Sequence, residues 1–191
     1  LVKIGKLKAI AAVSPEGILA NDNQMPWHVS EDLRRFKRLT INNVVIYGRG
    51  TFESFNKEPL SNRHNFLISK STKFSDIVNT DIVVYEDLDI AISDAQIKYP
   101  DKDTWIVGGA SIYRQTLPIV DELYLTIINP NEVKYNEIKE EDVLFLPGYP
   151  DFINKIFNLE GEEETQVATY RKYIRKTTDF RNPTRPYFSK T

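Results

Sequence analysis

Trp105-Ile106-Val107-Gly108-Gly109-Ala110-Ser111-Ile112-Tyr113 runs from an apolar stretch through two glycines into a helical pattern. A short run of Val, Ile and aromatics bounded by glycine reads as a buried strand. The pattern behind it predicts a helix over 111–117. Strand, glycine turn and helix form the repeating unit of an α/β sheet. Glycines at such a junction let backbone approach a phosphate at a helix N-terminus. On the dipeptide alone, a plain turn is at least as common.

The same alternation recurs on both sides. Apolar runs predict strands over 7–13, 44–47, 65–69, 82–85, 105–107 and 123–128. Helical patterns lie between several of them, over 31–40, 50–55, 88–98 and 111–117. The alternation predicts an α/β domain with a mostly parallel sheet. The C-terminal third differs. Between 123–128 and a last apolar run at 167–174 no helix is predicted, and the stretch 129–164 is acidic and broken by Pro130, Pro147 and Pro150. The two flanking runs read as antiparallel strands that close the sheet, joined by long loops. After Lys176 the chain is polar, with Pro183 and Pro186, and reads as a peripheral extension.

Bulk properties narrow the function classes. With 191 residues, 41% of them hydrophobic and 27% charged, the chain has the makings of one soluble domain with its own core. A net charge of −2 gives no field to recruit nucleic acid or an acidic membrane, so neither partner is expected. No apolar run approaches the roughly 18 residues of a membrane span, and no signal peptide is recognised. Cysteine is absent, which removes thiol chemistry and fits a reducing cytoplasm. His28 and His64 have no ligand spacing around them, so no metal is assigned.

The richest stretch is Met25-Pro26-Trp27-His28-Val29-Ser30-Glu31-Asp32. Ser30 reads as an N-cap, and Glu31 and Asp32 suit a first helical turn. At 100° per residue from Asp32, the side chains of Leu33, Phe36, Leu39 and Thr40 fall between about −20° and +100°. Arg34 and Arg38 fall opposite, with Arg35 on the flank. Asp32 therefore lies on the apolar stripe. Two readings are open: an acid that favours the helix N-terminus while staying wet, or an acid lining a cleft, where it accepts hydrogen bonds from an amidine-like group or buffers a proton. Burial would raise its pKa and the helix dipole would lower it. A second strand-to-helix junction, Tyr47-Gly48-Arg49-Gly50-Thr51, offers a charge and a hydroxyl to an anion, or is a loop with a solvated arginine. Arg63, at a strand entry, is either solvent-exposed or a bidentate carboxylate clamp.

In order and spacing, these pieces resemble the dihydrofolate reductase family. The match runs from Ile10-Ala11-Ala12 through Met25-Pro26-Trp27, Asp32-Leu33 with Phe36-Lys37, and Gly48-Arg49 with Thr51-Phe52-Glu53-Ser54. It continues through Pro59-Leu60 with Arg63 and Asn65, Val107-Gly108-Gly109 with Ile112-Tyr113, and Leu123-Tyr124-Leu125-Thr126. The resemblance implies a single α/β domain over 1–176 with an extension over 177–191. Its central mixed eight-stranded sheet would have seven strands parallel and the last antiparallel, flanked by about four helices. It implies reduction of dihydrofolate by NADPH, in support of one-carbon metabolism and thymidylate synthesis, and antifolates as ligands. A monomeric cytoplasmic enzyme is expected.

The resemblance also implies residue roles. Asp32 is the active-site acid that binds the pterin, with Thr126 hydrogen-bonded to it. Met25 and Trp27 belong with the loop from Leu19 that closes over the nicotinamide. Ile10, Ala11, Leu33, Phe36, Leu60, Val107 and Tyr113 surround the substrate, and Arg63 holds its glutamate carboxylate. Ala12, Leu19, Gly48, Arg49, Gly50, Thr51, Ser69, Lys70, Gly108, Gly109, Ala110, Ser111 and Ile112 hold the cofactor. A cis Gly108–Gly109 peptide is implied. The pterin nitrogen gains its proton from a water admitted by the Met25 loop, with Asp32 polarising the ring.

The chain departs from the family pattern at Ala20, Tyr47, Gly50, Phe52 and Ser111. Gly50 and Ser111 lack the basic side chains often seen there, which thins contacts to the cofactor's 2′-phosphate. A pyrimidine reductase of riboflavin synthesis and a non-catalytic scaffold keeping the fold are the rivals. Trp27, Asp32, Arg63 and Thr126 together speak against both. Finally, the basic segment from Arg171 onward is expected to dock on the acidic stretch around Glu132–Asp142, with Tyr187 and Phe188 as anchors.

Overall fold

The computed structural model describes residues 4–71 and 81–177. The expected docking of the C-terminal extension, with Tyr187 and Phe188, lies outside the described residues.

Eight strands build the central sheet: β1 (Leu7–Val13), β3 (Val44–Gly48), β4 (His64–Ile68), β5 (Ile82–Tyr85), β6 (Thr104–Gly108), β7 (Glu122–Ile128), β9 (Phe157–Glu164) and β10 (Ala168–Arg175). Their order is β5-β4-β3-β6-β1-β7-β10-β9. The pairings from β5 to β7 are parallel, and β10 runs antiparallel to both β7 and β9. Seven strands thus share one direction, as the resemblance implies, and β10 alone opposes them. Two further strands, β2 (Ile18–Asn21) and β8 (Val143–Phe145), form a separate antiparallel pair.

Burial explains why the central strands read as continuous apolar runs. All five residues of β3 are buried, as expected for a strand covered on both faces. On one face, α3 (Leu88–Lys98), α4 (Ala110–Thr116) and α5 (Asp151–Ile156) contribute Leu88, Ala91, Ile112, Tyr113 and Ile153 to a core with Ala9, Ile106 and Leu123. On the other, α1 (Ser30–Thr40) and α2 (Arg49–Ser54) bring Phe36, Leu39 and Phe52 against Ile10, Val45 and Trp105. Alternation along β1 sends Ala9 to the first core and Ile10 to the second.

Three expectations need correction. Among the described residues there are five α-helices, since α5 forms inside the acidic stretch read as helix-free. That stretch also supplies β8 and the edge strand β9, whose outward side is acidic rather than apolar and so gave no strand signal. Ser30 is not the N-cap of α1: Val29 occupies that position without a side-chain cap, and the Ser30 hydroxyl instead lies 3.3 Å from His28 Nε2.

The last strand is anchored at its end. The Arg175 guanidinium donates to the carbonyls of Pro118 and Val120, and Lys176 N donates to Ile156 O.

Candidate active site

A cleft of about 890 Å³ opens along the C-terminal ends of β1, β3, β6 and β7. That is where ligands bind in open α/β sheets. All the residues assigned by resemblance line it except Trp27, Leu60 and Arg63.

At one end of the cleft sits Asp32, in the first turn of α1. Thr126 of β7 donates its hydroxyl to Asp32 Oδ1 at 2.7 Å. Burial pushes the Asp32 carboxyl above the usual carboxylate range; the Thr126 hydrogen bond and then the Arg35 charge pull it partly back, and Glu31 adds to the rise. The acid on the apolar stripe is therefore a cleft acid. Tyr113 of α4 is buried beside it and donates its hydroxyl to Ile10 O at 2.5 Å, which fixes the adjacent wall.

The two glycine junctions meet in the middle. Tyr47 of β3 pairs with Gly108 of β6, so α2 and α4 start side by side at the cleft. Gly108 has φ +122, a backbone state that favours glycine, and a Cβ there would lie 3.2 Å from Thr51 Oγ1. The Gly108–Gly109 peptide is cis, as the resemblance implies. Neither helix has a side-chain cap at its N-terminus. Beyond them lie Arg49, Ser69 and Lys70. Bare backbone, uncapped helix starts and two cations fit a long anionic cofactor such as NADPH. Arg49 is held by Glu53 at 2.9 Å and by Ser71 Oγ at 2.9 Å.

The loop carrying Met25 lies over this region. A Cβ on Gly50 would come within 3.0 Å of Asn23 Oδ1, so the glycine that departs from the family pattern leaves room for the loop. Asn21 Nδ2 donates to Lys139 O at 2.7 Å, and Lys139 N donates to Asn21 Oδ1 at 3.2 Å. β8 pairs with β2, and Leu144 reaches the cleft. Tyr47, the other conspicuous departure, is fully buried and donates to Asn65 Oδ1 at 3.0 Å.

Three residues sit off the cleft. Trp27 is buried in a third cluster with Val29, Ile128 and Tyr170, tilted against Tyr135 at 5.1 Å. Leu60, half-buried, packs against the second core cluster, as Phe36 does. Arg63 donates to Ser61 O at 2.8 Å and Thr40 Oγ1 at 3.2 Å, with its guanidinium 5.8 Å from the ring of the cleft-lining Phe36. The loop from Leu19 to Gln24, implied by the resemblance, carries Asn21 and Asn23 to the cleft region. Sequence reading missed Lys139 and Leu144 opposite them, which lie before and in the three-residue β8, too short to carry a periodic signal. It also missed Arg35, although its spacing of three from Asp32 was visible.

Similarity to known proteins agrees with this geometry. The sequence profile described as dihydrofolate reductase matches residues 6–168. The chain belongs to the dihydrofolate reductase family. Among curated relatives, the dihydrofolate reductase of Staphylococcus aureus (strain N315) is 30% identical over 173 residues, covering 89% of this chain and 98% of the relative. That of Buchnera aphidicola subsp. Acyrthosiphon pisum is 37% identical over 123 residues, covering 64% of this chain and 72% of the relative. A solved structure of dihydrofolate reductase from Enterococcus faecalis, complexed with NADP(H) and RAB-propyl, superposes with a TM-score of 0.74 at 25% identity, covering 92% of this chain and 99% of that one. The reductase reaction is NADPH-dependent reduction of dihydrofolate to tetrahydrofolate.

Proposed function

We propose that this cleft carries out that reduction with Asp32 as its working acid. The observation behind the reading is the half-buried carboxylate itself, held by Thr126 where apolar side chains line the cleft. A carboxylate accepts the N–H groups of the pterin's amidine-like edge in two directions. Ile10, Ala11, Leu33, Phe36 and Val107 wall the ring, and Tyr113 stiffens that wall through Ile10 O. Arg63, with Leu60, takes the glutamate end of the substrate, after release from its present carbonyl partners.

NADPH supplies the hydride when bound. Arg49, Thr51, Ser69 and Lys70 meet its phosphates, and Ala12, Leu19, Gly48, Gly50 and Gly108–Ile112 seat the rest. Holding two reactants in one cleft makes the transfer effectively unimolecular. Met25 and the loop from Leu19 exclude bulk water, and a single admitted water passes a proton to the ring under the influence of Asp32. Trp27 supports that loop from below.

The reductase domain is read over 1–176 and the extension over 177–191. It is read as a monomer of the cytoplasm, open to antifolates and without nucleic-acid or membrane partners. Among the described residues no helix is long and apolar enough to cross a membrane.

Asp32→Asn tests the reading. Turnover at neutral pH is expected to fall by about 10²-fold or more, as when a positioned acid/base group is removed. NADPH affinity, measured by fluorescence titration, is expected to stay unchanged. A mutant that turns over like the parent would overturn the assignment.

A further inference from the structure

Arg35 follows Asp32 by three residues, one turn along α1. Beneath them lie two strands in register. Tyr124 and Thr126 alternate onto the same face of β7, and Tyr170 of β10 stands directly opposite Thr126. Thr126 holds Asp32, while the Arg35 guanidinium lies 4.6 Å from the Tyr170 ring centroid and 5.8 Å from that of Tyr124. Acid and cation therefore sit over adjacent positions of one sheet face.

The surroundings leave the Arg35 charge free to act on Asp32. Among the described residues Arg35 makes no ion pair, and its Nη1 is buried without a hydrogen-bond partner. The carboxylate before Asp32 does not neutralise it: Glu31 Oε1 accepts instead from Tyr170 Oη at 2.8 Å and Thr165 Oγ1 at 3.0 Å. The other cations around Tyr124 have carboxylates of their own. Lys8 lies 2.9 Å from Asp103 and 3.3 Å from Glu122, and Lys172 pairs with Glu160. A guanidinium held on two aromatic faces keeps its full charge in a space that screens poorly.

We propose that Arg35 is a positioning residue for the reaction: clamped on Tyr170 and Tyr124, it keeps positive charge beside the Asp32 carboxylate and sets how readily that acid takes up a proton. The proposal rests on Asp32 being the working acid. Facing Asp32 are Glu31 and Arg35 from its own helix, Thr126 from β7, Tyr113 from α4 and Tyr170 from β10. Burial pushes both phenols well above their ordinary value, so they stay neutral. Burial lowers the Arg35 value, but an arginine remains cationic throughout. The groups that place charge on Asp32 are thus Arg35, which favours the ionised acid, and Glu31, which opposes it.

The test follows the Asp32 carboxyl by NMR in ligand-free protein labelled with carbon-13 at aspartate, its signal identified by its loss in Asp32→Asn. Arg35→Met is expected to raise the proton affinity of Asp32 roughly tenfold, the low end of the effect of an opposite charge at close range. Arg35→Lys, which keeps the charge, is expected to titrate close to the parent. The pH at which single-turnover hydride transfer declines is expected to move upward with the Asp32 titration in Arg35→Met. Arg35→Gln carries the same neutral test should the methionine variant fail to fold. An unmoved titration in a folded neutral variant would overturn the proposal, as would an equal shift in Arg35→Lys, which would point to packing alone. A titration that moves while the rate profile does not would contradict the role of Asp32 in the reaction, and the proposal with it.

Discussion

Asp32 sits in a place that resists its charge. Burial raises its pKa in the folded protein, so the native state binds that proton more tightly than the unfolded chain. Stability therefore falls as pH rises from the ordinary carboxylate value through the raised one, and the cost is fully present above both. Asparagine keeps an oxygen for the Thr126 hydroxyl and discards the charge. Asp32→Asn is thus expected to melt a few degrees higher than the parent at neutral pH, with the gain shrinking as pH falls through the raised value and gone below about pH 4, where the parent acid is protonated in both states. Thermal melts across that range measure it, and a mutant that melts lower at neutral pH would show the carboxylate to be stabilising. Much of this residue was legible in the sequence. Its angular position among Leu33, Phe36 and Leu39 placed it on the apolar stripe, but no helical wheel reveals that Thr126, 94 residues away, supplies the hydrogen bond. Ser30 shows the opposite failure. Its residue type predicted a cap, yet the chain enters α1 through extended Val29, whose side chain is buried.

Among the elements, the glycine junctions after β3 and β6 were readable because each joins a strongly apolar strand to a helix. Strands β2 and β8, four and three residues long, were not, since a pairing that short leaves no periodic pattern. Nor was α5, six residues within an acidic stretch. Yet the β2–β8 pair holds the loop over the cleft, tied by the two hydrogen bonds between Asn21 and Lys139. Those bonds are exposed, so their loss costs little global stability, while the loop they hold gains freedom. Asn21→Ala is expected to slow turnover several-fold and leave the melting temperature nearly unchanged. Equal turnover in steady-state assays would show that β2–β8 pairing alone fixes the loop.

Across the whole molecule, the sheet order places β1 between β6 and β7, and this brings Ile10, Gly108 and Thr126 to one cleft from distant parts of the chain. The α1 side of the sheet contributes the acid, and the α2 and α4 starts contribute the bare backbone. A reductase needs both, with water kept out between them. The fold class and most of the lining were legible because each strand end carries its own local motif. The positions of Leu60, Arg63 and Trp27 relative to the cleft were not, because they depend on how a loop and a third core cluster pack against it. The most direct measurement is the loss of NADPH absorbance when dihydrofolate is added to the purified protein at catalytic concentration. Steady loss that requires both compounds, and yields one tetrahydrofolate per NADPH consumed, is the expected result; no loss beyond the rate without dihydrofolate, from protein shown to be folded and to bind NADPH, would contradict it.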